Sequence, residues 1–192
     1  MSNLLRKFIN YLVTESKDSK KEESMMIALY PTKETISDIV SYRNKIKKEN
    51  NISNIFELPE EELHLTIRWW ESKIGNQKKI LSDLSKTKFE NQFDANISKI
   101  DILGDSLSLL LKSKEIDDLF DIIDKLVKTN NGPASTYPKF ISHLALFYGD
   151  ADDLESLSIP KESLDFKLIF DRIKMVDSDE NIYLSKKIES MP

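Results

Sequence analysis

The chain of 192 residues contains no cysteine, only two histidines, and more acidic than basic residues. Without cysteine there are no disulfides, thiolate nucleophiles, iron–sulfur clusters or Cys-type zinc sites. Two histidines cannot build a three-His zinc site, and no His-x-x-x-His spacing occurs, so neither a metal nor a cofactor is expected. No apolar run approaches the roughly 20 residues that span a bilayer. The opening residues are interrupted by Arg6, Lys7 and Asn10, which excludes a secretory h-region there and points to the cytoplasm. Positive charge is also in short supply: 28 Lys+Arg face 33 Asp+Glu, a net −5. That balance argues against holding long nucleic acid but leaves room for a small anionic ligand bound by a local cluster of donors.

What is present is ordinary for a folded domain, with 40% hydrophobic and 32% charged residues. Leu5, Phe8, Ile9 and Leu12 recur at helical spacing, so residues 1–15 are predicted as an accessory amphipathic helix and the charged run 16–23 as a linker. Residues 24–192 then form one bilobal domain. Met25–Tyr30 predicts a buried strand, and Thr32 caps a following helix. Leu63–Trp70 reads as a second strand, followed by a helix from about Asn76 to Lys86. Two strand-like runs turn at Gly104-Asp105, and Glu115–Lys128 is a helix with acids first and lysines last. A loop, Thr129–Pro138, leads into the strand Phe140–Tyr148, and two late strands close the chain. The mixture predicts an α+β fold with a mostly antiparallel sheet.

The two histidines stand in similar settings, Leu63-His64-Leu65-Thr66-Ile67 and Ser142-His143-Leu144-Ala145-Leu146, 79 residues apart and each in a strand that follows a helix. Residues i and i+2 of a strand share a face, which groups His64 with Thr66, Arg68 with Trp70, and His143 with Ala145 and Phe147. If the halves pack about a pseudo-twofold, two imidazoles face one cleft, a general base on one side of a phosphodiester and a general acid on the other. Thr66 would donate to a non-bridging oxygen as charge grows there. Arg68 is the candidate phosphate contact, and Trp70 or Tyr30 the candidate base-stacking ring.

At these residues the chain resembles the 2H phosphoesterase superfamily, marked by two His-x-Thr/Ser motifs on strands of two pseudo-symmetric lobes. The likeness extends to Met25–Tyr30 with its helix, to Pro59–Leu63 before the first motif and to Tyr137–Phe140 before the second. It implies a two-lobed α+β fold, sheets inside and helices on the outer face, around a central cleft. It also implies metal-independent cleavage of small cyclic or 2′-linked nucleotides, with His64, Thr66 and His143 catalytic and either histidine the base. A phage branch of the family degrades the cyclic oligonucleotide messengers of bacterial anti-phage (CBASS) signalling, and the Lys/Asn/Ile-rich composition fits a phage origin, hence the cytoplasm of a bacterial host. The second motif departs from the family pattern, since Ala145 stands where a hydroxyl is expected. One missing donor costs about 2.7–4 kcal/mol of transition-state stabilisation. Arg68, Tyr137, Lys139 and Tyr148 are the candidates to compensate. A sequestering nucleotide binder on the same scaffold is the alternative, and a 2′,3′-cyclic phosphodiesterase of RNA processing a further one.

Overall fold

The computed structural model describes residues 24–50, 52, 54–71, 76–89, 91–135, 139–160, 164, 166–179 and 181–188. The accessory helix and linker expected over residues 1–23 lie outside them, as does Tyr137.

Thr32 starts the first helix because its side-chain oxygen accepts from the Thr35 amide at 3.3 Å, one of the amide groups that a helix start leaves without a partner. This helix, α1 (Lys33–Glu49), follows strand β1 (Ser24–Pro31) and leads to β2 (Leu65–Glu71). Asn76 caps α2 (Gln77–Lys86) in the same manner. Strands β3 (Phe93–Leu103) and β4 (Ser106–Lys112) form a hairpin, turned by Gly104 at φ +59°. Ser113 caps α3 (Lys114–Thr129), whose buried Ile116, Leu119, Ile123 and Val127 recur at helical spacing. The helix stops where Asn131 turns left-handed and the Gly132 amide donates back to the Val127 carbonyl. There a β-carbon on Gly132 would lie 2.3 Å from a Val127 methyl. Strand β5 (His143–Tyr148), the short α4 (Ala151–Glu155), β6 (Leu168–Asp177) and β7 (Ile182–Lys187) complete the described chain. Among the described elements, α4 and a single 3-10 turn at Glu60–Glu62 lack a counterpart in the sequence reading.

Every strand pairing is antiparallel, in the order β2-β1-β6-β3-β4-β5, with β7 on the free part of β6. The order is symmetric about the β6–β3 seam. One lobe runs outward from β6 through β1 to β2, the other from β3 through β4 to β5, so the two histidine strands are the outermost of the order. The lobes also interlock. Helix α1, which links β1 to β2, lays Arg43 over the Phe147 ring of β5 at 6.0 Å. Helix α3, which links β4 to β5, places Asp124 on Arg68 of β2 at 3.1 Å. Arg43 and Asp124 are each the eleventh residue after their helix's N-cap, Thr32 and Ser113, so the two contacts are pseudo-symmetric equivalents.

Candidate active site

His64 immediately precedes β2 and His143 is the first residue of β5. Each ring is anchored in the same way. Nδ1 of His64 donates to the Glu62 carbonyl at 2.7 Å, and Nδ1 of His143 donates to the Ile141 carbonyl at 2.8 Å, two residues back in both cases. A carbonyl only accepts, so Nδ1 carries the hydrogen and Nε2 is the atom left for chemistry. Burial, above all, holds the His64 pKa below its ordinary value of 6.5; the Glu62 carbonyl opposes this, while the nearby charges of His143 and Lys174 lower it further. By accessible surface His64 is half-buried, but it is densely surrounded, which is what burial of its charge depends on. At neutral pH it is therefore a neutral imidazole with a free Nε2 lone pair.

Strand register decides what shares the His64 face. Directly opposed residues in antiparallel strands point to the same side. Thr66 stands opposite Ala28, which stands opposite Lys174, which stands opposite Ser185, forming one row across four strands. The next row joins Tyr30, Arg172 and Lys187, and the Tyr30 ring lies 5.8 Å from the His64 ring. Lys174 Nζ sits 3.7 Å from the Tyr30 ring centroid. On the other side of the Thr66 row are Trp69, Met26, Val176 and Ile182. The Thr66 hydroxyl donates to Met26 Sδ at 3.3 Å, a weak acceptor that an anionic oxygen would outcompete.

Two β-bulges correct the faces inferred from simple alternation. In β2 the register slips between Thr66 and Arg68, so Ile67 is the extra residue and everything after it changes side. Trp69, 43% exposed, takes the Thr66 face, whereas Trp70 is 1% exposed in the core and offers no ring to a ligand. Arg68 likewise turns inward. Its guanidinium pairs with Asp124 and donates to the carbonyls of Trp69 at 2.6 Å and Pro133 at 2.7 Å, which removes it from phosphate binding. In β5 the slip falls between Ala145 and Phe147, with Leu146 extra, so Phe147 goes to the core and not to the His143 face. Tyr148 has Asp105 and Arg43 as its charged neighbours; burial and the Asp105 carboxylate push its pKa up to about 12, with Arg43 opposing. Lys139 is exposed, and its charge acts on Asp117 at the start of α3.

Ala145 stands opposite Ser108, whose neighbour on β3 is Asp101. This row is the pseudo-symmetric counterpart of Thr66, Ala28 and Lys174. The hydroxyl missing from the motif position appears one strand away, but Ser108 is fully buried and its oxygen lies 2.8 Å from Ser106 Oγ.

Neither a protein-family model nor a curated protein matches the sequence. Solved structures do. A crystal structure of a phosphoesterase superposes with a TM-score of 0.64 at 14% identity, over 88% of this chain and 95% of that one. Escherichia coli LigT complexed with phosphate gives 0.57 at 13%, over 88% and 96%. A Thermus thermophilus protein gives 0.61 at 12%, over 88% and all of that chain. The chain has the 2H phosphoesterase fold. LigT has also been crystallised with 3′-AMP, ATP and NADP+.

On this 2H fold the described residues that come together are His64, His143, Thr66, Tyr30 and Lys174. Lys174 escaped the sequence reading, although Arg172-Ile173-Lys174 carried a signal: two cations at i and i+2 around a buried isoleucine put both on the open face of a strand. Among the described residues no group of three His, Asp or Glu is arranged to hold a metal ion, and no helix is long and apolar enough to cross a membrane.

Proposed function

We propose that the protein is a metal-independent phosphodiesterase acting on a small nucleotide, with His64 as general base and His143 as general acid. The observation that carries this is the matched anchoring of the two rings, which leaves an Nε2 on each for proton transfer. His64 Nε2 takes the proton of the attacking oxygen, a ribose 2′-hydroxyl or water. The new O–P bond forms, the opposite P–O bond breaks, and His143, entering the step as the imidazolium with hydrogen on both ring nitrogens, gives its Nε2 proton to the departing oxygen. Thr66 and Lys174 supply a hydroxyl and an ammonium to the non-bridging oxygens, where negative charge grows. Lys174 has no carboxylate partner among the described residues, only the Tyr30 ring, so an arriving phosphate is its first counter-ion.

Cyclic oligonucleotide messengers of anti-phage signalling are the substrate class we favour, which would make this an anti-CBASS protein of a phage, active in the cytoplasm of its host. 2′,3′-Cyclic phosphates come second. The nucleotides named in the LigT complexes support a nucleotide ligand. The test is a screen of 2′,3′-cyclic nucleotides and cyclic mono-, di- and trinucleotides with EDTA present. His64→Ala and His143→Ala should each abolish turnover, and wild-type rates in either variant would overturn the assignment.

Ala145 supports a second reading, a protein that binds the same ligand without cleaving it. Nucleotide recovered intact after prolonged incubation with a stoichiometric amount of protein would favour it.

A further inference from the structure

The sheet face beside His64 carries more positive charge than cleavage of one phosphodiester needs. Arg172 and Lys187 are exposed and directly opposed across β6 and β7, in the row that continues from Tyr30. Lys174 is two residues along β6 on the same face. Like charges placed directly opposite in a sheet repel and destabilise the pairing. Arg172, Lys174 and Lys187 make no ion pair among the described residues, although the whole chain is acidic with a net charge of −5. The corresponding wall of the other lobe is neutralised, because Lys99 on β3 pairs with Asp101 two residues on. The surplus is therefore confined to one wall of the candidate cleft.

Position along the sheet separates these cations by task. Lys174 shares its row with Thr66 and its charge reaches His64, which assigns it to the reacting phosphate. Arg172 lies one residue pair further along β6, a displacement of about 7 Å, and Lys187 a further strand away, about 5 Å. That offset is the reach of a nucleotide backbone unit, longer than the step between the linked phosphates of a diphosphate. The Tyr30 ring, directly opposite Arg172, lies 5.8 Å from the His64 ring and has Lys174 Nζ 3.7 Å from its centroid.

We infer that Arg172 and Lys187 form a subsite for a second phosphate one nucleotide away from the scissile one, so that the preferred ligand is an oligonucleotide, linear or cyclic, and not a mononucleotide. Arg172 presents a planar fork to that phosphate and Lys187 a point charge. The inference rests on the reading of the site as one for nucleotide phosphodiesters.

The experiment is calorimetric titration of the full chain and of an Arg172→Gln/Lys187→Gln double variant with three probes. These are 2′-deoxyadenosine 3′-monophosphate, the two-phosphate deoxydinucleotide dApdAp, which lacks the 2′-hydroxyl nucleophile, and ADP. The wild type should bind dApdAp roughly tenfold or more tightly than the monophosphate. The double variant should lose that advantage while its monophosphate affinity stays the same. An equal loss for both, or no loss for either, overturns the subsite and leaves the phosphodiesterase reading standing. A gain for ADP equal to that for dApdAp overturns the one-nucleotide spacing. If the wild type binds none of the three, the nucleotide reading of the whole cleft fails, and the subsite with it.

Discussion

Replacing Asp124 with alanine tests whether Arg68 is a structural group or a ligand-binding one. The guanidinium side chain is 3% exposed and the Asp124 carboxylate 13%, with Nε and Oδ1 3.1 Å apart. Two further N–H groups of Arg68 go to backbone carbonyls, so they would remain bonded in the variant, but the charge would lose its counter-ion. Breaking a buried pair in this way costs about 3–5 kcal/mol, and the surviving carbonyl bonds favour the lower end. A loss of about 3 kcal/mol corresponds to a fall in Tm of about 6–12 °C for a chain of this size. Arg68→Met combined with Asp124→Leu should recover most of the loss, since a well-packed apolar pair is often neutral relative to a buried ion pair. Urea denaturation with a common m-value measures all three proteins. The same double variant should keep its KM for a cleavable nucleotide within about threefold, because it removes no group that touches the ligand. A stability loss below about 1 kcal/mol for Asp124→Ala, or a large rise in KM for the folded double variant, would refute the structural role.

Four other outcomes are expected. The acid limb of kcat/KM should fall through a pKa below 6.5, and Lys174→Met should move it to higher pH, because removing a neighbouring cation stabilises the imidazolium; an unmoved limb in that variant would separate Lys174 from His64. The same lowered pKa makes His64 bind a proton more readily in the unfolded chain, so its contribution to stability is present above about pH 6.5 and is lost as pH falls through the folded pKa, which His64→Gln should flatten in a pH series of urea melts. Trp69→Ala should weaken nucleotide binding by about 1–3 kcal/mol with little change in stability, whereas Trp70→Ala should cost about 3–5 kcal/mol of stability, and the reverse pattern would show the bulge to be wrongly placed. Ala145→Ser should raise single-turnover kcat by roughly tenfold or more, toward the full value of one transition-state donor, and no gain in an active enzyme would mean that charge does not develop beside β5.

Most of the fold was legible because its signals are local. Thr32, Asn76 and Ser113 are side-chain caps, and the stripe on α3 has the helical period, so these helices could be placed from sequence. The histidine pair was legible because scarcity and a shared setting both singled it out. The faces beyond the histidines were not. A β-bulge is a property of two strands in register, and nothing in Thr66-Ile67-Arg68 announces that Ile67 will be skipped. One extra residue exchanged Trp69 for Trp70 and turned Arg68 from the cleft to the interior; its counterpart Leu146 sent Phe147 to the core. Lys174 was hidden for a related reason. Its parity within β6 could be read, but its neighbours Ala28 and Thr66 come from strands more than a hundred residues earlier.

The crossed contacts Arg43–Phe147 and Arg68–Asp124 have a mechanical consequence. A helix segment from each half closes over the histidine strand of the other, so the halves cannot swing apart as on a hinge without first unpacking both contacts. Heat or denaturant should therefore melt both halves in one cooperative step, with no stage at which one half survives alone.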